Sequence, residues 1–160
     1  MTLRIGHGLD AHRLVAGRPL MLGCVEVPHD RGLEGHSDGD TAAHALCDAL
    51  LGAAGLGDMG RHFPSTEDRW RDVPGTELLR AVSTLVRERS LRLVSAQVVV
   101  IAEAPRLADH LDAMASACAA ALGVDRALLQ VTATSLDGMG FTGRGEGIAA
   151  SAVALLEQAR

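Results

Sequence analysis

"GHGLDAHRL", residues 6–14, places three ionisable side chains, His7, Asp10 and His12, where an apolar strand ought to run. Asp10 and His12, just past the predicted strand Leu3–Leu9, stand two apart on a strand or its frayed end, so alternation aims both at the same side of a sheet. The segment to meet them is "HSDGDTAAHALCDALLG", residues 36–52, in which Asp40, His44 and Asp48 recur every four residues and share one face of a helix. His44 lies among Ala42, Ala43, Ala45 and Leu46, so its imidazole is either buried and satisfied or bound to something. One carboxylate and two imidazoles with a fourth position free is the donor pattern of a catalytic zinc site. Asp10, His12 and His44 are therefore candidate ligands. The alternative is three separate structural polar groups, because spacing alone does not bring strand and helix together. Asp48 has two readings as well, orienting a ligand histidine or lying solvated on the helix.

Outward from this pair of segments, further strands are predicted at Leu20–Val27, folded at Gly23-Cys24, at Ala96–Ala102 and at Leu128–Ala133. Helices are predicted at Asp40–Ala54, at Thr76–Arg89 with its stripe of Leu78, Leu79, Val82, Leu85 and Val86, at Arg106–Leu122 opened by Pro105, and at Glu146–Gln158. Residues 57–75, polar and bearing Gly, Pro and the single Trp, read as one long loop, a class that is commonly functional or disordered. A hairpin followed by alternating helices and strands predicts an α+β two-layer sandwich, a mixed β-sheet with helices packed on one face. Residues 1–160 form one domain in this reading, with no repeat and no low-complexity linker.

Composition removes several classes of function. The 160 residues are 48% hydrophobic and carry a formal charge of −5, with no basic block to suit a nucleic acid. No apolar run approaches a membrane span and no basic-then-apolar leader opens the chain, so a cytoplasmic location is expected. Cys24, Cys47 and Cys118 are scattered and read as small buried hydrophobes. All 15 cationic residues are arginine, which excludes Schiff-base and P-loop lysine chemistry but leaves phosphate binding by Arg open. Gly35-His36-Ser37 ahead of a helix start favours phosphate, whereas "GFTGRGEG", 140–147, is either a turn or a phosphate cradle.

Taken together, "RIGHGLDAH" (4–12), "GHSDGDTAAHALCDALLGAAGLGDMGRHFPST" (35–66), "IAEAPRL" (101–107) and "GFTGRGEGIA" (140–149) resemble the 2-C-methyl-D-erythritol 2,4-cyclodiphosphate synthase family of the non-mevalonate isoprenoid pathway. The resemblance spans nearly the whole chain in order. It implies a homotrimer with active sites between neighbouring subunits, and a lyase reaction. In that reaction the 2-phosphate of 4-diphosphocytidyl-2-C-methyl-D-erythritol 2-phosphate attacks its own β-phosphorus and expels CMP. No protein nucleophile is needed, in keeping with the missing lysine.

Residue by residue, the resemblance implies Zn²⁺ on Asp10, His12 and His44, with Ala11 beside them at the substrate. His36 and Ser135 match the residues that steady the transition state, and Ser37 contacts substrate beside His36. Asp58, Met59 and Gly60 match the ribose-holding segment, and Phe63, Pro64, Ser65, Thr66 and Glu67 a mobile loop over the methylerythritol part. Ala102, Glu103, Ala104, Pro105, Arg106, Leu107 and Ala108 match the cytidine pocket, with Arg106 where the family has Lys. Thr134, Ser135, Leu136 and Asp137 match the diphosphate strip. Asp137 there would serve a second divalent ion, Mg²⁺ or Mn²⁺. This strip departs most from the family's Thr-Thr-Thr-Glu-Lys, since Asp137 is one methylene short and Gly138 removes a cation. Phe141 and Arg144 match further substrate contacts. With Glu146 they match an axial cavity of the trimer that can hold a prenyl diphosphate. Two other readings accompany these: a metal-dependent phosphohydrolase using the same ligands, and a non-catalytic sensor of isoprenoid diphosphates.

Overall fold

The computed structural model describes residues 2–159. Strand β1 (Leu3–Ala16) is followed by a hairpin of β2 (Leu20–Leu22) and β3 (Val25–Val27), then β4 (Arg31–Leu33) and helix α1 (Thr41–Ala54). A short helix α2 (Met59–His62) and helix α3 (Gly75–Glu88) lead to β5 (Leu91–Ile101). Helix α4 (Leu111–Leu122), β6 (Leu129–Thr134), a single-turn helix α5 (Gly140–Gly143) and β7 (Gly147–Gln158) complete the chain. The main sheet has the order β4-β1-β7-β5-β6, antiparallel except for the parallel pair β5 and β6, and the β2–β3 hairpin stands apart from it. This is the expected mixed-sheet α+β sandwich.

The layers meet at α1, which crosses β1 and β7 with almost every side chain buried. Close approach is possible because β1 offers glycine on its inner face. A Cβ on Gly6 would lie 1.9 Å from the Ala49 carbonyl oxygen, and one on Gly8 the same distance from that of Ala45. Ala150, Ala152 and Ala154 of β7 continue this small-residue floor. On the other face of the same strands Leu3, Ile5, Leu9 and Val153 are exposed, Ile5 by 73%. The sheet is thus covered on one side only, and its bare side sets these apolar residues around a His7–Ser151 hydrogen bond of 2.8 Å.

The structure corrects four local expectations. Residues 147–158 form a strand and not the predicted helix Glu146–Gln158. Their alanine content and apolar spacing fit a helix equally well, but β7 lies between β1 and β5, and both neighbours satisfy its backbone. Tertiary pairing overrides a local preference worth only tenths of a kcal/mol per residue, in order-of-magnitude terms. Strand β1 runs on to Ala16, so Asp10 and His12 sit within a paired strand and not at a frayed end. The chain from Ala102 to Leu107 stays non-helical and a 3-10 turn at Ala108–His110 precedes α4, so Pro105 opens no helix. Finally, the predicted 57–75 loop contains α2 and a 3-10 turn, Asp68–Trp70.

Candidate functional site

The geometry begins with strand alternation. Asp10 and His12 point to the α1 side of β1, and α1 presents His44 in its first turn. The Asp10 Oδ2 lies 2.8 Å from His12 Nε2 and 3.1 Å from His44 Nδ1, and the two ring nitrogens are 3.2 Å apart. Four-coordinate zinc with bonds of about 2.0–2.1 Å has ligand–ligand edges of about 3.3 Å, so this triangle matches one face of such a tetrahedron. These are the residues among those described whose donor atoms cluster in the manner of a metal site.

The outer partners prepare the triangle. His12 donates from Nδ1 to the Glu34 carbonyl at 2.6 Å, which in the neutral ring leaves Nε2 with its lone pair turned inward. His44 is hydrogen-bonded through Nε2 to Ser37 Oγ at 3.0 Å, leaving Nδ1 for the centre. Burial by itself would push the Asp10 carboxyl up. Hydrogen bonds from His12 and His44, and their charge, outweigh that and hold it well below the usual carboxylate range. For His12, burial opposes protonation, but the hydrogen bond and charge of Asp10 prevail and raise it. Without a metal, the centre therefore attracts a proton in the cation's place.

The strip from Gly35 to Asp40 is held from several directions. Arg18 donates to the Gly35 carbonyl at 3.0 Å and to the Ser37 carbonyl at 2.7 Å, a role that no sequence signal marked. Asp40 is the N-cap of α1, accepting from Ala43 N at 2.9 Å, and it also accepts from Gly23 N (2.8 Å) and Cys24 N (2.6 Å) of the hairpin turn. Its carboxyl is fully buried, and burial together with the charge of Asp38 raises its pKa. Replacing Asp40 by alanine leaves three backbone N–H groups without their acceptor. The expected cost is about 2–4 kcal/mol, read as a lowered denaturation midpoint, with Asp40→Asn costing less.

Downstream, Asp48 Oδ1 accepts from Met59 N at 2.8 Å, so it positions the Asp58–Gly60 segment and does not orient a ligand histidine. Asp58 caps α2 by accepting from Arg61 N at 3.0 Å. His36 donates from Nε2 to the Glu67 carbonyl at 3.4 Å, and Phe63 meets Trp70 edge to face at 4.8 Å between ring centroids. A cavity of about 150 Å³ opens among His12, His36, Ser37, His44, Met59, Phe63, Ser65 and Trp70. Pro64 and Glu67 are half-buried and Thr66 is exposed on the same loop.

The remaining predicted residues gather elsewhere. Ala102, Glu103, Pro105, Arg106, Leu107 and Ala108 share a cavity of about 300 Å³ with Thr134 and Ser135. Across the sheet Ala11, Ala149 and Ile101 stand in register, so this second cavity lies at the same end as the triad with β7 between them. Asp137 has a φ of 51° and receives the Ser135 hydroxyl at 3.4 Å, while Gly138 N donates to Glu103 at 3.3 Å. Leu136 is exposed beside it. Phe141 and Glu146 line a third cavity of about 220 Å³ with Ala11, His12 and Arg13, and Arg144 pairs with Glu146 at 2.8 Å. Among the described residues these three groups line separate cavities.

The sequence and the fold both have counterparts among known proteins. The chain is 53% identical over 154 residues to the 2-C-methyl-D-erythritol 2,4-cyclodiphosphate synthase of Moorella thermoacetica, covering 96% of this chain and 94% of that one. A structure of a 2C-methyl-D-erythritol-2,4-cyclodiphosphate synthase in a CDP-bound form superposes with a TM-score of 0.87 at 38% identity, over 96% of this chain and all of that one. The bifunctional IspDF of Campylobacter jejuni superposes with a TM-score of 0.94 at 39% identity, over 98% of this chain but only 42% of that longer one. With the YgbB family profile matching residues 3–157, from the first strand into the last, the chain belongs to the YgbB family.

Proposed function

We propose that this protein converts 4-diphosphocytidyl-2-C-methyl-D-erythritol 2-phosphate to 2-C-methyl-D-erythritol 2,4-cyclodiphosphate and CMP, as a lyase of isoprenoid precursor biosynthesis. The observation that carries the reading is the Asp10–His12–His44 triangle, set beside a cavity in a chain whose relatives bear that name. The donor set, two imidazoles and one carboxylate with inward lone pairs, fits zinc. Zinc held there supplies Lewis-acid polarisation of a phosphate oxygen.

The protein's own groups then do the positioning. His36 and Ser37, on the strip clamped by Arg18, face the same cavity and steady the phosphates. Asp58 to Gly60 accept the ribose hydroxyls, and Phe63 to Glu67 close over the methylerythritol. The backbone of residues 102–108 reads the cytosine edge. Ser135 would donate to the diphosphate, and Asp137 is the carboxylate that would hold a second divalent ion, Mg²⁺ or Mn²⁺, which would neutralise phosphate charge there. Because the cytidine and triad cavities are separate within one chain, we place the complete site between neighbouring subunits of a homotrimer. The bare apolar face of Leu3, Ile5, Leu9 and Val153 supports this, since an exposed patch of that kind marks an interface. Phe141, Arg144 and Glu146 would then surround the trimer axis, where a prenyl diphosphate can lie. Among the described residues no helix is long and apolar enough to cross a membrane.

Phosphorus NMR of the protein with the cytidyl substrate and Mg²⁺, followed alongside CMP release, tests the reading. A cyclic diphosphate that no longer forms after zinc chelation is the expected result. CMP with a linear product indicates a phosphohydrolase, and prenyl-diphosphate binding without CMP release indicates a sensor.

A further inference from the structure

The only tryptophan of the chain stands outside the residues assigned so far. Trp70 ends the 3-10 turn Asp68–Trp70, and its ring helps to line the triad cavity beside His36, Ser37 and Met59. The indole Nε1 is shielded from solvent and has no hydrogen-bond acceptor. An indole N–H can only donate, and buried donors in folded proteins nearly always find a partner. The ring itself is held on two sides, by Phe63 edge to face and by the Arg69 guanidinium 4.7 Å from its centroid.

The segment that carries Trp70 is tied to the catalytic strip on both sides of the turn. Asp72 N donates to the His36 carbonyl at 2.8 Å and Asp38 N to the Val73 carbonyl at 3.2 Å. Gly75 N donates to Asp38 at 2.8 Å. The backbone bonds of the turn itself are local, Trp70 N to Glu67 O and Arg71 N to Asp68 O, and the Glu67 carbonyl also accepts from His36 Nε2 at 3.4 Å. Asp68 and Arg69 are exposed, so the outer side of the turn is not packed against the rest of the protein. The acceptors that would enter the neighbouring cavity are oxygens of a phosphorylated polyol.

We infer that Trp70 is a further substrate-positioning residue, its indole N–H donating to a hydroxyl or phosphate oxygen at the methylerythritol end of the substrate. This rests on the proposed function and adds a contact to it. The free protein holds the donor unpaired, and substrate completes it, so part of the binding free energy comes from satisfying a group already desolvated.

As Trp70 is the sole tryptophan, its emission reports on this position alone. Titration of the wild-type protein with 2-C-methyl-D-erythritol 2,4-cyclodiphosphate should shift the emission saturably, while CMP alone should not. Trp70→Phe keeps the aromatic packing and removes the donor. Its KM for the cytidyl substrate should rise about tenfold with kcat within about threefold of wild type. An emission change accompanied by an unaltered Trp70→Phe KM reports loop movement only and overturns the hydrogen bond, as does an emission unmoved by the cyclodiphosphate. Wild-type protein that forms no cyclodiphosphate overturns the functional reading instead, a result read by NMR and independent of the tryptophan signal.

Discussion

Replacing His44 by alanine should leave a folded protein that has lost its bound metal and on the order of 10³-fold or more of its turnover. The imidazole supplies one corner of the triangle through Nδ1 and ties Ser37 to the centre through Nε2, so its loss removes a ligand and loosens a substrate contact together. Helix α1 should survive, because its N-cap Asp40 and its C-cap Gly55 are untouched and alanine favours a helix. Metal content by elemental analysis, CMP release and circular dichroism separate the two effects. Retained stoichiometric zinc with retained turnover would remove His44 from the centre. The variant has a secondary signature in acid. Asp10 is depressed below its unfolded value, so its interactions contribute stability above that value, lost as pH falls through the depressed one. With His44 gone the depression shrinks, and the metal-free variant should lose less stability on acidification than metal-free wild type.

The second large effect is expected from a methyl group. Gly8→Ala would set a Cβ 1.9 Å from the Ala45 carbonyl oxygen and 2.8 Å from Ala49 N, both backbone atoms of α1 that no rotamer change can move aside. To reach ordinary contact, α1 must retreat from the sheet by more than an ångström. The core it seals includes Leu46, Leu50 and Leu51 together with Ala150 and Ala152 of β7. Overpacking by one methyl commonly costs about 1–3 kcal/mol, and a clash between two backbones belongs beyond that range, at about 4 kcal/mol or more. Chemical denaturation should show it directly, or soluble expression should fail. Gly6→Ala makes the same collision one helical turn on, with Ala49 O. Because His44 immediately precedes Ala45, any α1 displacement that the protein survives should also widen the metal triangle and lower zinc affinity. A Gly8→Ala protein with unchanged denaturation midpoint and zinc affinity would show that α1 and β1 are not packed backbone to backbone.

Much of the local structure is legible in the sequence. The stripe of α3 and the Gly23-Cys24 turn follow from residue types at short spacing, where one segment carries its own signal, whereas spacing offers Asp10, His12 and His44 only as candidates, and the fold is what brings their donor atoms together. The loop at 57–75 was legible as a long polar segment but not as ordered structure, because it is held from outside itself, by Asp48 at α2 and by His36 and Asp38 after the Trp70 turn.

What the sequence by itself determined is the set of chemical groups and most of the elements that carry them: a strand with Asp10 and His12 on one face, a capped helix with His44 in its first turn, and the family to which such a chain belongs. Only the tertiary structure decided that residues 147–158 extend as a central strand, that Glu34 and Ser37 direct the lone pairs of the two histidines inward, and that Arg18 clamps the strip between them. The physical reason is range. Periodicity and capping act within a dozen or so residues, whereas a ladder pairing His12 with Ile148, or a carbonyl that selects a tautomer, exists only once distant segments have been brought together.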